Sequence, residues 1–350
     1  MKKPLMILSL KPFATLAIGL AVASCSSSPV VPGAKPRDHG AIGATEGPAW
    51  KDGSLYFTDG KHINRLGPDG KTTVFRRNAS NGLLFDKEGR LVACESGMRR
   101  VTRTEKDGSI TVLADRFEGK KFNSPNDLCM DSKGRIYFTD PRYGSREGME
   151  ISFVEPPMRL CVVGPILTKR EFEKVQRSLP TKDRTIFIEG IYRIDAPGKL
   201  KRALPGGEDY SLERPNGILV SPDDHYLYIA DNNNNKHGGS RKLLRYELDE
   251  SGSVKSGPPK VIFDWKDGRG PDGMKMDSAG RIYVAAGTNK PTEFETTRYK
   301  AGCYILSPSG RLLDFIPVGP DECCNCAFGG RDGKTLFITS GGHLWSVPLR

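Results

Sequence analysis

The sequence predicts an all-β protein, a six-bladed β-propeller with an insertion between blades 3 and 4. Three observations predict it. A hairpin-like segment recurs six times along the chain. The 350 residues include 40 Gly and 25 Pro without a collagen-like period, which suits short strands joined by many turns. One carboxylate or amide residue also stands at nearly the same offset ahead of each repeat.

The repeat joins a small polar lead, an apolar residue, a turn containing Asp and Gly, and an alternating apolar strand. It reads WKDGSLYFTD from Trp50, FDKEGRLVACE from Phe85, MDSKGRIYFTD from Met130, SPDDHYLYIAD from Ser221, MDSAGRIYVAAG from Met276 and GRDGKTLFITSG from Gly330. Each copy is two short strands around a tight turn. A second hairpin follows most copies, at His62 to Phe75, Arg100 to Leu113, Ile191 to Leu204 and Leu243 to Phe263. Two hairpins make a four-stranded blade, and six copies make six blades. The tail His343 to Leu349 is expected to supply the strand that closes the ring, which removes exposed sheet edges.

The longest interval lies between the third and fourth copies, and residues 147–184 fit no blade. Within it KREFEKVQRSL has helical spacing and good helix formers. It is expected to form a lid or a partner surface on one face.

The N-terminus carries an address. Lys2, Lys3 and Lys11 precede the apolar stretch Phe13 to Val22, a signal-type core. The following Val22-Ala23-Ser24-Cys25 resembles a bacterial lipobox, with Cys25 as the lipidated first residue of the mature chain. The expected organisation is a lipoprotein signal peptide over 1–24, a flexible tether over 25–40 and the propeller over 41–350. Acyl chains on Cys25 would hold the protein on a membrane surface of the cell envelope, on its periplasmic or extracellular face. No apolar run beyond the N-terminus reaches bilayer-spanning length.

The formal charge is +11, of which Lys2, Lys3 and Lys11 contribute three. The remaining surplus is spread along the chain without a Lys/Arg block or a nucleic-acid motif, so a solvated surface is expected and no nucleic acid is implied as a partner. Of eight cysteines, Cys323, Cys324 and Cys326 cluster. A zinc site would want a second ligand pair at recognisable spacing, which is missing. Disulfides, for example with Cys303, are compatible with export, but spacing does not specify their pairing.

The residues ahead of the repeats are Glu46, Asn81, Asn126, Asn216, Asp272 and Asn325. A lone Asn-Gly is ordinary turn chemistry. Six oxygen-bearing side chains at one repeat position call for another account, because equivalent innermost positions of a propeller face its central channel. Two carboxylates and four amides crowded there are costly unless a cation compensates them. Such donors select a divalent metal, calcium first, with magnesium or manganese next. Zinc is the remaining alternative; it favours His or Cys, and the ring has only Cys326 beside it. The five histidines occupy no motif position, no Gly-x-Ser-x-Gly elbow is present, and the run Asn232 to Asn235 reads as a solvated loop.

At these residues the sequence resembles the senescence-marker-protein/gluconolactonase/luciferin-regenerating (regucalcin-like) family. The resemblance runs from about Thr45 to Gly341 and rests on EGPAW, NSPNDL with FTDPRYG, PNGI with SPDDHYLYIAD, PDGM and NCAFGG. It implies a calcium-type metal held by Glu46, Asn216 and Asp272, with Asn126 completing the metal shell or contacting substrate. It implies hydrolysis of a lactone, typically of a sugar acid. Asn81, on the same ring, is assigned to substrate binding. Animal members carry arginine two positions before the Asn126 equivalent; here that residue is Ser124, which leaves the sugar preference open. A bound cation would polarise the lactone carbonyl and Asp272 would orient or deprotonate water, with Asp127, Arg142 and Tyr143 as candidates for the mouth. Two other readings share the scaffold: an arylesterase or phosphotriesterase, and a non-catalytic surface-anchored binding propeller. Oligomeric state is not readable.

Overall fold

The computed structural model describes residues 28–79, 81–143, 151–153, 185–207, 211–319 and 321–350. The signal segment, Cys25 and the helical stretch expected at 169–179 lie outside the described residues. Among the described residues every regular element is a strand.

The repeated turn has a specific chemistry. Asp86, Asp131 and Asp277 each lie three residues before a glycine and four before an arginine. One carboxylate oxygen accepts backbone N–H groups of its own turn, from Lys133 and Arg135 at 2.9 Å in the case of Asp131. The other accepts Nε of the arginine, at 2.8 Å for Arg90, 2.5 Å for Arg135 and 2.6 Å for Arg281. Gly134 between them has φ +82°, a conformation that favours glycine. The motif therefore builds the same hairpin three times.

The strands assemble as six four-stranded antiparallel sheets. The chain first forms β1 (Arg37–Ala44), then blade 1 from β2 (Glu46–Lys51), β3 (Ser54–Thr58), β4 (His62–Leu66) and β5 (Thr72–Arg77). Blade 2 is β6 (Leu83–Phe85), β7 (Leu91–Glu95), β8 (Arg100–Thr104) and β9 (Ile110–Ala114). A small hairpin, β10 (Arg116–Phe117) and β11 (Lys120–Lys121), leads to β12 (Leu128–Met130) and β13 (Ile136–Thr139). A second hairpin, β14 (Ile151–Phe153) with β15 (Thr185–Phe187), precedes β16 (Ile191–Ala196) and β17 (Lys199–Leu204). Blade 4 is β18 (Pro215–Val220), β19 (Tyr226–Asn232), β20 (Arg241–Glu247) and β21 (Lys260–Asp264). Blade 5 is β22 (Pro271–Met276), β23 (Ile282–Ala286), β24 (Gly302–Leu306) and β25 (Leu312–Pro317). Blade 6 takes β26 (Cys323–Gly329), β27 (Thr335–Ser340) and β28 (Gly342–Pro348) from the C-terminus.

Three expectations are refined by this topology. The insertion interrupts blade 3 itself, between its second and third strands: the chain leaves the sheet at Thr139 and rejoins it opposite, at Ile191. The tail is the third strand of blade 6, and β1 from the N-terminus closes the ring, with Arg37 opposite Ser346. Finally, ordered chain reaches into the stretch read as a tether. β1 begins at Arg37, and Val30 bridges Leu349 while the Arg350 N–H donates to Pro29.

Six apolar clusters fill the six junctions between neighbouring blades. Val92, Val101, Leu128, Phe138 and Tyr192 join blades 2 and 3, and Leu55, Phe57, Phe337 and Leu344 join blades 1 and 6. Each fully buried side chain of this size contributes about 1.5–3 kcal/mol. These wedges, rather than side chains on the axis, hold the ring together, so the inner strand ends are free to carry polar groups.

Candidate cation pocket at the propeller axis

The innermost strands are irregular where the ring residues lie. In blade 4, Pro215 pairs with Asp231 and Ile218 with Ile229, so Asn216 and Gly217 together oppose Ala230. In blade 5, Asp272 and Gly273 together oppose Ala285. Blade 1 repeats the shift after Glu46, and blade 6 repeats it between Cys323 and Asn325. A β-bulge of this kind bends the strand and re-aims its side chains. The glycines that follow the ring residues serve close approach, since a Cβ on Gly273 would lie 2.0 Å from the Asn325 side chain and one on Gly47 would lie 2.2 Å from the Asn81 carbonyl. Asn216-Gly217 and Asp272-Gly273 are thus strand segments, not hairpin turns.

All six ring residues occupy the start of, or the approach to, an innermost strand. Asn126, Asn216, Asp272 and Asn325 are 2–6% exposed. Asn325 Nδ2 donates to Glu46 Oε2 at 3.1 Å. Asn81 stands at φ +98°, a strained value for a residue with a side chain, and its Nδ2 donates to Ser96 Oγ at 3.0 Å. The oxygens Asn81 Oδ1, Asn216 Oδ1 and Asp272 Oδ1 are buried without a hydrogen-bond partner among the described residues. Buried polar atoms are normally paired, so three unpaired oxygens in one ring mark a place prepared for a positive ligand. A divalent cation fits this donor set.

The electrostatics agree. Burial, then the charges of Asp272 and Asp127, push the Glu46 carboxyl well above its usual range. Burial raises Asp272 to about 7, against the opposing pull of Arg269. A cation placed between the two acids would favour the charged form of both.

Arg269, which sequence reading passed over, and Cys324, which it weighed only within the cysteine cluster, complete the pocket. Arg269 Nη2 donates to Asp272 Oδ2 at 3.4 Å and pairs with Glu322 at 2.8 Å, so it fixes one face of Asp272 and leaves Oδ1 open. The sulfur of Cys324, a carboxylate oxygen of Glu46 and one of Asp272 lie within 4.8 Å of one another. Cys324 is the extra residue of the blade 6 bulge; the sequence placed Cys326 beside the ring, and the structure buries Cys326 between blades 5 and 6 instead. Neither residue had a repeat signal that could reveal its role.

The mouth candidates divide. Asp127 is 2% exposed in the channel wall, its Oδ1 accepting the Leu128 N–H at 2.9 Å. Arg142 and Arg214 both pair with the buried Glu189, at 2.6 and 3.1 Å, and the Arg214 guanidinium lies over the Tyr143 ring. Asn232 and Asn233 are buried, correcting their reading as part of a solvated loop; Asn233 Nδ2 donates to Glu213. The six described cysteines are free thiols, so none of them forms the disulfide that export would have allowed.

Fold and site together define a closed β-propeller with an oxygen-rich pocket at its axis. The chain belongs to the SMP-30/Gluconolactonase/LRE-like family, whose profile matches residues 44–342. A gluconolactonase of Zymomonas mobilis is 28% identical over 332 residues, covering 87% of this chain and 78% of the relative. The solved structure of a gluconolactonase from Xanthomonas campestris superposes with a TM-score of 0.65 at 28% identity, covering 92% of each chain. A calcium-binding regucalcin from Agrobacterium tumefaciens shares the fold, with a TM-score of 0.62 at 18% identity over 89% of this chain and 92% of its own.

Proposed function

We propose that this chain is a divalent-cation-dependent hydrolase that opens lactone rings. The observation that carries the reading is the axial ring of half-buried Glu46 with buried Asn216 and Asp272, the latter two carrying oxygens without a hydrogen-bond partner among the described residues. Membership of the family, and similarity to proteins named gluconolactonase, support the substrate class.

Glu46, Asn216 and Asp272 would hold the cation, with Asn126 beside them. When bound, the cation supplies Lewis-acid polarisation of the lactone carbonyl. Asn126 and Asn81 orient the substrate by amide hydrogen bonds. Asp272 accepts a proton from the attacking water as its oxygen joins the carbonyl carbon. The ring C–O bond then breaks, the leaving oxygen takes up a proton, and a hydroxy acid is released. Arg269 keeps the Asp272 carboxylate oriented throughout. Calcium is the proposed ion on oxygen-donor grounds.

The test is hydrolysis of a panel of sugar-acid lactones, an aryl ester and a phosphotriester by the purified protein, with and without chelator. Lactone turnover that chelation abolishes and calcium restores is expected. Faster turnover of the aryl ester or phosphotriester would move the assignment to an arylesterase or phosphotriesterase. Cation binding without turnover of any ester would make the protein a binding propeller.

The proposed location is the cell envelope, through lipidation of Cys25. The support is the signal-type stretch ending in Val22-Ala23-Ser24-Cys25.

A further inference from the structure

The cation pocket contains a donor that an all-oxygen site does not need. The Sγ of Cys324 lies within 4.8 Å of carboxylate oxygens of both Glu46 and Asp272, which lie equally close to each other. Tetrahedral donors bonded to one zinc-type ion at about 2.0–2.3 Å stand roughly 3.3–3.8 Å apart, so the three side chains close around one ion by drawing together by up to roughly 1.5 Å.

The local backbone explains why the sulfur is there. Cys323 pairs with Ser340 and Asn325 pairs with the adjacent Thr339, so Cys324 has no partner of its own on β27. In a regular strand Cys324 and Asn325 would point to opposite faces. The bulge removes that alternation and brings Cys324 towards the same ring as Asn325. Its only hydrogen bond among the described residues is a long one, 3.8 Å to the Glu322 carbonyl. A second observation points to a ligand independently of the thiol: Asp272, 4% exposed, keeps Oδ1 without a hydrogen-bond partner among the described residues, although Arg269 holds its other oxygen.

We propose that Cys324 is a metal ligand, which makes the axial pocket a mixed oxygen–sulfur site that takes a thiophilic divalent cation of the zinc class as well as a hard one. Thiolate donors favour such ions, whereas carboxylates and amides favour calcium and magnesium. As the metal–sulfur bond forms, the thiol proton passes to solvent. With Glu46, Asn216 and Asp272, Cys324 makes four protein donors, the number a tetrahedral zinc-type ion takes. This inference rests on the axial pocket being a cation site.

The probe is cadmium, whose bond to a thiolate gives an ultraviolet charge-transfer absorption. The full chain, stripped with chelator, is titrated with Cd2+ alone and followed by absorbance, with calcium binding followed separately by calorimetry. Wild type is expected to develop the absorption up to one equivalent. Cys324→Ser should abolish it and weaken cadmium by at least the ~10–100-fold typical of losing a supporting group at a metal site, while calcium affinity changes little. Glu46→Gln should weaken both ions. Absorption that persists in Cys324→Ser overturns the proposal. So does the absence of absorption in wild type that still binds one calcium, an outcome that leaves the oxygen site intact. Absence of binding by both ions overturns the sulfur ligand and the cation site together.

Discussion

Gly217 of blade 4 lies so close to blade 5 that a Cβ on it would sit 2.1 Å from the carbonyl oxygen of Asp272. This contact ties the spacing of two blades to the position of the pocket's main carboxylate. Gly217→Ala must force the strands apart, and overpacking of this kind costs about 1–3 kcal/mol. Thermal denaturation should show the loss. Calorimetry should show weaker calcium binding, because the displaced strand carries Asp272. A variant with unchanged stability and unchanged calcium binding would show that the junction has slack.

Asp272→Asn keeps the size of the side chain and removes its charge. The circular dichroism spectrum should be unchanged. Lactone turnover at saturating calcium should fall by about two orders of magnitude or more, the scale of losing a general base. Asn81→Gly, which suits φ +98° and removes only an amide, should cost less. Near-wild-type rates in Asp272→Asn would remove Asp272 from the proposed chemistry.

Asp140 supports the ring from behind. Its carboxylate accepts the N–H groups of Asn123 at 2.8 Å and Ser124 at 2.7 Å, three and two residues before Asn126, and burial raises it to about 8. An unfolded aspartate titrates near 3.9. A folded value above the unfolded one means that its contribution is full below about pH 4 and is lost as pH rises through about 8. Asp140→Asn stays neutral, so its stability deficit relative to wild type should narrow between pH 5 and pH 9. Melting curves at the two values measure this, and a gap that widens would reverse the assigned direction.

Lipidation is tested by Cys25→Ala. Wild type should fractionate with membranes and carry acyl mass on its mature N-terminal peptide, whereas the variant should remain unprocessed or be released. Wild type without lipid by mass spectrometry would remove the anchor.

Much of this protein was legible in its sequence because repetition records local physics. The Asp–Gly–Arg turn is closed within five residues, so Asp86, Asp131 and Asp277 announce their hairpins without help from the rest of the chain. The ring was legible for a related reason: six blades of one design carry their axial residue at matching positions, and Glu46, Asn81, Asn126, Asn216, Asp272 and Asn325 could be aligned by counting. What counting cannot supply is contact between residues far apart in the chain. Asn325 meets Glu46 across 279 residues because β1 closes the ring beside β28, a pairing that no local pattern encodes. Cys324 reaches the pocket because one ladder step is skipped, and Arg269, three residues from Asp272, is anchored by Glu322 just ahead of β26 in the neighbouring blade. Those features depend on how the blades wedge together, and that is decided by long-range packing rather than by the order of residues within any one repeat.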